Sequence, residues 1–168
     1  MILVEGDADV DDVDAFVAEL DAIGGAHGCA VTAIDARYVA GRAHLAAAVE
    51  RANRAVARED AIADDRAIEV LLYAAGRRQI ERALAMGVEA GRGPVAIVVD
   101  SGGDPAADEA GAADALRGLV DECPVIGPAR DDALVREFFG IADAELAATD
   151  APLCDLVVER VSLLAVEK

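Results

Sequence analysis

The residue types best suited to chemistry gather around Gly76. In Tyr73-Ala74-Ala75-Gly76-Arg77-Arg78-Gln79-Ile80 a glycine separates two helical runs, Ile68 to Ala75 and Arg77 to Met86. The spacing puts Arg77, Arg78 and Gln79 in the first turn of the second run, where free N–H groups face anions. Two cations at that end oppose the helix dipole. An anionic partner would resolve the conflict, and so would pairing with a nearby carboxylate such as Glu81. Tyr73, one turn before the break, either offers a stacking face to a base or sits in the core with its hydroxyl satisfied. The charge map points the same way. Ten of the fifteen basic residues lie between Arg37 and Arg92, against eight of the 33 carboxylates, so that segment is slightly basic in a chain of net charge −18. Such a segment is expected to meet something anionic.

A second candidate is Asp100-Ser101-Gly102-Gly103-Asp104. Loops at strand ends in α/β sheets often carry ligands, and two carboxylates around a Gly-Gly turn have the chemistry to hold Mg²⁺. The alternative is an ordinary solvated acidic turn. Gly24-Gly25-Ala26-His27-Gly28 follows a helix and precedes a strand, the reverse of a dinucleotide loop. His27 and His44 lack cysteine or carboxylate neighbours at metal spacing, and no Ser/His or Cys/His pairing stands out. The expectation is a non-catalytic protein with no cofactor and no metal. Cys29, Cys123 and Cys154, odd in number and far apart, read as buried free thiols.

The elements that would position these residues can be read from periodicity. Ile2 to Val4 suits a strand. Asp11 or Asp12 can cap a helix with Val13, Phe16, Val17, Leu20 and Ile23 inward, stopped by Gly24-Gly25. Cys29 to Ile34 is a second strand. Val39 to Arg58 is a long helix with Leu45, Val49, Ala52 and Val56 inward, and with Arg51, Arg54 and Arg58 sharing an exposed side. In the helix after Gly76, Ile80, Ala83 and Leu84 point inward. Pro94 to Val99 is continuously apolar and suits a central buried strand. There follow a helix (Ala107 to Asp121), a short strand or turn (Pro124 to Ile126), a helix (Asp131 to Phe139) and an amphipathic segment (Leu153 to Val166). The fold class is mixed α+β, one compact helix-rich domain over residues 1–168, with a small central sheet flanked by helices.

Arginine in place of lysine (Lys168 is the one lysine), small apolar residues and the dense carboxylates resemble the composition of extreme halophile proteins. Self-repulsion of such a surface is tolerable where molar salt shortens the Debye length to roughly 3 Å. No stretch has the roughly 20 apolar residues of a membrane span, and the acidic N-terminus has no basic signal-peptide region. A soluble cytoplasmic protein is expected, without a membrane partner.

Three segments together resemble a known family. Glu69-x-Leu71-Leu72-Tyr73-Ala74-Ala75-Gly76-x-x-Gln79-Ile80 is similar to the signature of archaeal CGI-type subunits of the KEOPS complex, the PRPK-binding protein family. Asp35-Ala36-x-x-Val39-Ala40-Gly41-x-x-His44-Leu45 and Val157-Val158-Glu159-Arg160-Val161-Ser162-Leu163-Leu164 resemble two further family segments, in the same order. The resemblance implies a non-catalytic subunit of the machinery that installs threonylcarbamoyladenosine on tRNA. It would dock on a Bud-type kinase, support that kinase's ATPase activity, act through it beside a Kae-type transferase, and help recruit tRNA by its single-stranded 3′ CCA end. Arg77 and Arg78 stand at the two variable positions of the motif, in line with the charge map, and the residues expected to bind tRNA are Arg77, Arg78 and Gln79, supported by Arg42, His44, Arg82 and Tyr73. The expected kinase contact is the C-terminal stripe of Val157, Val158, Val161 and Leu164. Because phosphate contacts weaken steeply with salt, base stacking and base-edge hydrogen bonds should carry much of such binding.

Overall fold

The computed structural model describes residues 1–164. Its centre is a four-stranded sheet in the order β2-β3-β1-β4. The strands are β1 (Ile2–Val10), β2 (Ala30–Asp35), β3 (Gly91–Asp100) and β4 (Asp121–Glu122), and every neighbouring pair is antiparallel. Residues 95–100 of β3 are buried without interruption because helices cover both faces. On one face Val4, Ala8, Val95, Ile97 and Val99 pack against α1 (Val13–His27) and α5 (Glu109–Arg117). On the other, Ile34, Ala96 and Val98 pack against α2 (Arg42–Ala57), α3 (Arg66–Ala75), α6 (Asp132–Phe139) and α8 (Leu153–Leu163). The expected mixed α+β domain, helix-rich with a central sheet, is the fold found.

Several local expectations are corrected. β1 extends to Val10, because the small residues Gly6 and Ala8 continue the buried alternation that looks polar in sequence. Helix α1 runs through Gly24-Gly25 and ends at Gly28, whose φ of 68° closes it in the left-handed region. Gly24 serves close packing: a Cβ there would lie 2.6 Å from the Cys29 carbonyl oxygen as the chain returns into β2. Helix α2 starts at Arg42, after a 3₁₀ turn (Ala36–Tyr38) that the Asp35 carboxylate caps, and Val56 of the expected inner stripe is exposed. Of the strand or turn expected at 124–126 the turn is found, opening at Ile126, and the Val125 and Ile126 N–H groups donate to the Glu5 carboxylate at 3.0 and 2.9 Å. The last two positions of the expected C-terminal segment, 165 and 166, lie outside the described residues.

The stretch after Gly76 differs most. Gly76, at φ 59°, ends α3 in the left-handed conformation. Arg77 to Gln79 are then non-helical, α4 is the single turn Ile80–Ala83, and a 3₁₀ turn (Leu84–Met86) follows. One turn can bury only one edge. Ala83 and Met86 take it, while Ile80 and Leu84 are 46 % and 53 % exposed rather than inward.

Two buried polar side chains tie the second layer together. Glu69, fully buried in α3, accepts N–H bonds from Ile62 (3.0 Å) and Ala63 (2.8 Å) and so fixes the acidic loop before α3. His44, 0 % exposed near the start of α2, accepts the Ala40 N–H at Nδ1 (3.2 Å) and, with its proton therefore on Nε2, donates to the Ala74 carbonyl (2.7 Å). Burial pushes the His44 pKa down to about 4, partly offset by the Ala74 bond.

Glu69→Ala leaves two loop N–H groups without their acceptor and should lower unfolding free energy by about 3 kcal/mol in denaturant titration. For His44 the unfolded state binds the proton first. Stability should therefore fall as pH drops from about 6.5 toward 4, by up to about 3 kcal/mol, and His44→Gln should remove that slope from the stability–pH profile.

Candidate functional site

The α3–α4 break rests on an aromatic column built from three of the chain's five aromatic residues. Tyr38 and Phe138 meet edge-to-face at 5.2 Å, Phe138 and Phe139 at 5.1 Å, and Phe139 and His44 at 5.5 Å. Arg77 lies over this column. Its guanidinium carbon is 5.0 Å from the Phe138 ring centroid, and its N–H groups donate to the carbonyl oxygens of Phe138 and Gly76. Gly76 needs its left-handed turn here, and the Arg77 N–H adds a bond to the Leu72 carbonyl at 3.0 Å. The backbone is thus held on both sides of the break. Arg78, Gln79, Ile80 and Arg82 project from it, all exposed.

This arrangement changes the reasoning behind the expected contacts. Arg77 to Gln79 precede α4 instead of opening it, and a one-turn helix has too little dipole to make an anion site, so the predicted conflict with the helix dipole does not arise. Arg77 has the more structural task, and Arg78, Gln79 and Arg82 form the displayed group. His44 and Tyr73 are withdrawn from the surface, at 0 % and 3 % exposed. Burial raises the Tyr73 pKa first and the Glu69 charge next, with the Arg78 and Arg51 charges opposing. Tyr73 therefore stands as a core residue with no open stacking face. Arg42 is exposed but ion-paired with Glu5 from β1.

The stripe expected to meet a kinase is likewise internal. Val157 and Val161 are 0 % exposed and Leu164 is buried with them in the layer under α2 and α3, while Val158 is half-buried. Helix α8 closes the core. Large exposed apolar side chains include Ile80 and Leu84 beside the break, and Leu163 on the outer side of α8. Phe138 and Tyr38, which hold the displayed turn, were missed. Their available signal was the scarcity of aromatics, which makes Phe138-Phe139 conspicuous.

Folding neutralises part of the basic segment of the charge map. Arg37 pairs with Asp35, Arg42 with Glu5, Arg66 with Asp100, and Arg92 with Asp7 and Asp121. Each of these carboxylates lies outside the Arg37-to-Arg92 segment, so folding brings in acids that a linear count leaves out. Arg54 pairs with Glu50 one turn away on α2, and Arg51 turns toward Ser162 of α8 (3.2 Å).

The same geometry disfavours the loop after β3 as a metal site. The Asp100 carboxylate is buried and accepts from Arg66 (2.7 Å) and the Gly102 N–H (3.1 Å), while Arg66 also donates to Asn53 (2.8 Å) and the Ser101 carbonyl (3.2 Å). Asp104 turns the other way, to the Ala106 N–H at 2.8 Å. Among the described residues no three His, Cys, Asp or Glu side chains are placed to share a metal ion. Burial raises the Cys29 and Cys154 thiols, whereas Cys123 is exposed, against the expectation for all three. No helix among the described residues is long and apolar enough to cross a membrane.

Comparison with known proteins agrees with the resemblance read from the motifs. No curated protein matches the chain. The family model described as kinase binding protein CGI-121 matches residues 8–165, nearly the whole sequence, from β1 to the end of α8. The match takes in the left-handed turn at Gly76, the buried His44 and the closing helix α8, and the chain belongs to the kinase binding protein CGI-121 family.

Proposed function

We propose that this chain, as one domain over residues 1–168, is the non-catalytic CGI-type subunit of a cytoplasmic KEOPS complex. It docks on a Bud-type kinase, supports its ATPase activity, and through it serves the Kae-type transferase that makes threonylcarbamoyladenosine on tRNA. Membership of a kinase-binding family carries the kinase half of this reading. The held turn at Gly76 carries the other half. Arg78, Gln79 and Arg82 project from a backbone already fixed by Arg77, so ordering them against an RNA end costs little conformational entropy. Guanidinium and amide groups suit the stacking and base-edge hydrogen bonding by which single-stranded RNA is recognised. A 3′ CCA end offers both. The composition suggests a high-salt cytoplasm, where such contacts outlast phosphate pairing.

For the kinase, the exposed pair Ile80 and Leu84 fits better than helix α8, whose Val157, Val161 and Leu164 face inward. Large apolar side chains left in water mark partner surfaces.

Binding of intact tRNA and of tRNA lacking its CCA should be compared in about 2 M KCl, which suppresses phosphate-only affinity. Loss of binding with the CCA is expected, together with a drop of about tenfold or more in the Arg78→Glu/Arg82→Glu variant at unchanged thermal stability. Equal affinity for the two RNAs, or an unaffected variant, would sink the RNA role. Ile80→Glu with Leu84→Glu should abolish stoichiometric copurification with the kinase; retained copurification would move the docking surface elsewhere.

A further inference from the structure

The two edges of the sheet are treated differently. On one side β4 is a two-residue strand made of Asp121 and Glu122, short and doubly charged, which is how natural sheets discourage further pairing. On the other side β2 has six residues, Ala-Val-Thr-Ala-Ile-Asp, with no proline, lysine or bulge. Among the described residues β3 is its one strand partner. Pairing on one side leaves about half of the β2 backbone N–H and C=O groups pointing outward, and the reachable part of that edge is Ala30 to Ala33, since Ile34 is fully buried.

Two cavities run along this edge and join. One, of about 430 Å³, is lined by Cys29, Ala30 and Val31 with Gly24, Gly25 and Asp21 of α1. The other, of about 520 Å³, continues past Val31, Thr32 and Ala33 toward Leu84. They share Asp21, Val31 and Ala67. Successive strand residues point to opposite faces. A cavity lined by consecutive residues of β2 therefore looks at the strand edge-on, between the α1 layer and the α3 layer.

The walls have different chemistry. The α1 wall carries Val13 and Val17 beside the exposed carboxylates Asp14 and Asp21. The opposite wall is apolar: Ala67, Leu71 and the exposed Leu84. Arg66, near one end, is drawn onto Asp100 and Asn53. A strand laid in this trough sends alternate side chains to each wall, so apolar side chains would meet Leu71 and Leu84. Basic ones would lay their stems on Val13 and Val17 and their heads beside Asp14 and Asp21.

We infer that the open edge of β2 is a strand-addition site for an extended segment of a partner protein in which apolar and basic residues alternate. Main-chain pairing with β2 supplies affinity and the unlike walls supply register and specificity. A second copy of this chain is the wrong occupant: pairing β2 with β2 would bring two Asp14–Asp21 rims together in a chain of net charge −18. The site shares Leu84 with the kinase surface proposed above, while its test at Asp14 and Asp21 leaves Leu84 unchanged.

The probe is a blocked hexapeptide alternating valine and arginine, tested on the full chain by calorimetric titration and by hydrogen exchange. Three controls accompany it: a valine–glutamate peptide, the arginine peptide with alternate backbone N–H groups methylated, and the Asp14→Lys/Asp21→Lys variant. The side chains at both substituted positions are exposed, so the fold should hold. The arginine peptide should bind and slow exchange at residues 30–33, and each control should lower affinity by about tenfold or more. No binding, equal binding of the methylated peptide, or unchanged exchange in β2 would overturn the proposal. So would a dimer in sedimentation whose formation protects β2, since the occupant would then be a second copy.

Discussion

The second half of strand β3 has no face that can meet water. From Val95 to Val99 its side chains are at most 1 % exposed and alternate between two separate cores. An antiparallel sheet commonly leaves one side solvated. Here that option is closed, and two helical layers are required. The rest of the architecture follows from supplying them. Helices α1 and α5 cover one face, and α2, α3, α6 and α8 cover the other in a thicker layer. That thicker layer is where His44 and Glu69 are enclosed, and where the last helix must turn its valines inward. The burial that makes α8 a lid on the core turns Val157, Val161 and Leu164 away from the surface, leaving Asp155, Glu159 and Leu163 outside.

The chain's acidity does more than coat the surface. Asp12, Asp65, Asp108 and Asp131 cap the helices α1, α3, α5 and α6, each accepting a backbone N–H of the first turn, where the helix dipole favours a negative charge. Glu5, Glu69 and Asp100, all largely buried, satisfy N–H groups of loops that no strand or helix serves. These carboxylates are structural parts that happen to be acidic. Their loss costs the unmet backbone groups as well as a charge, which is the larger effect in a low-dielectric interior.

What could be read in advance follows the range of the interaction that decides it. Continuous runs such as Val95 to Val99, and capped amphipathic stretches such as 131–139, are local and were legible. The break at Gly76 was legible too, because a left-handed turn demands a glycine. The outcome at Gly24-Gly25 was not, since close approach of Cys29 explains Gly24, Gly25 lies in open space, and neither ends the helix. Which of strand or turn forms at 124–126 depends on Glu5, over a hundred residues away in sequence. The candidate site shows the same division. Arg78, Gln79 and Arg82 stand exposed, though not on the long helix their spacing suggested, whereas His44 and Tyr73 are polar residues inside the core, and composition carries no sign of that. The arginine-rich segment looked basic because its neutralising acids lie outside it.

The displayed turn also bears on how so acidic a protein can hold an anion at all. Long-range attraction is unavailable at net charge −18, so any grip must come from short-range, directional contacts. Such contacts are effective where the groups making them are already in place. Gly76 fixes the backbone on one side, the Leu72 carbonyl bond and the Arg77–Phe138 stack fix it on the other, and the Tyr38–Phe138–Phe139–His44 column anchors that stack in the core. Protonating His44 or loosening Phe139 would therefore be felt at Arg78 through packing alone. The buried His44 and the stacked Arg77 belong to one packed unit, and Arg78 projects from it.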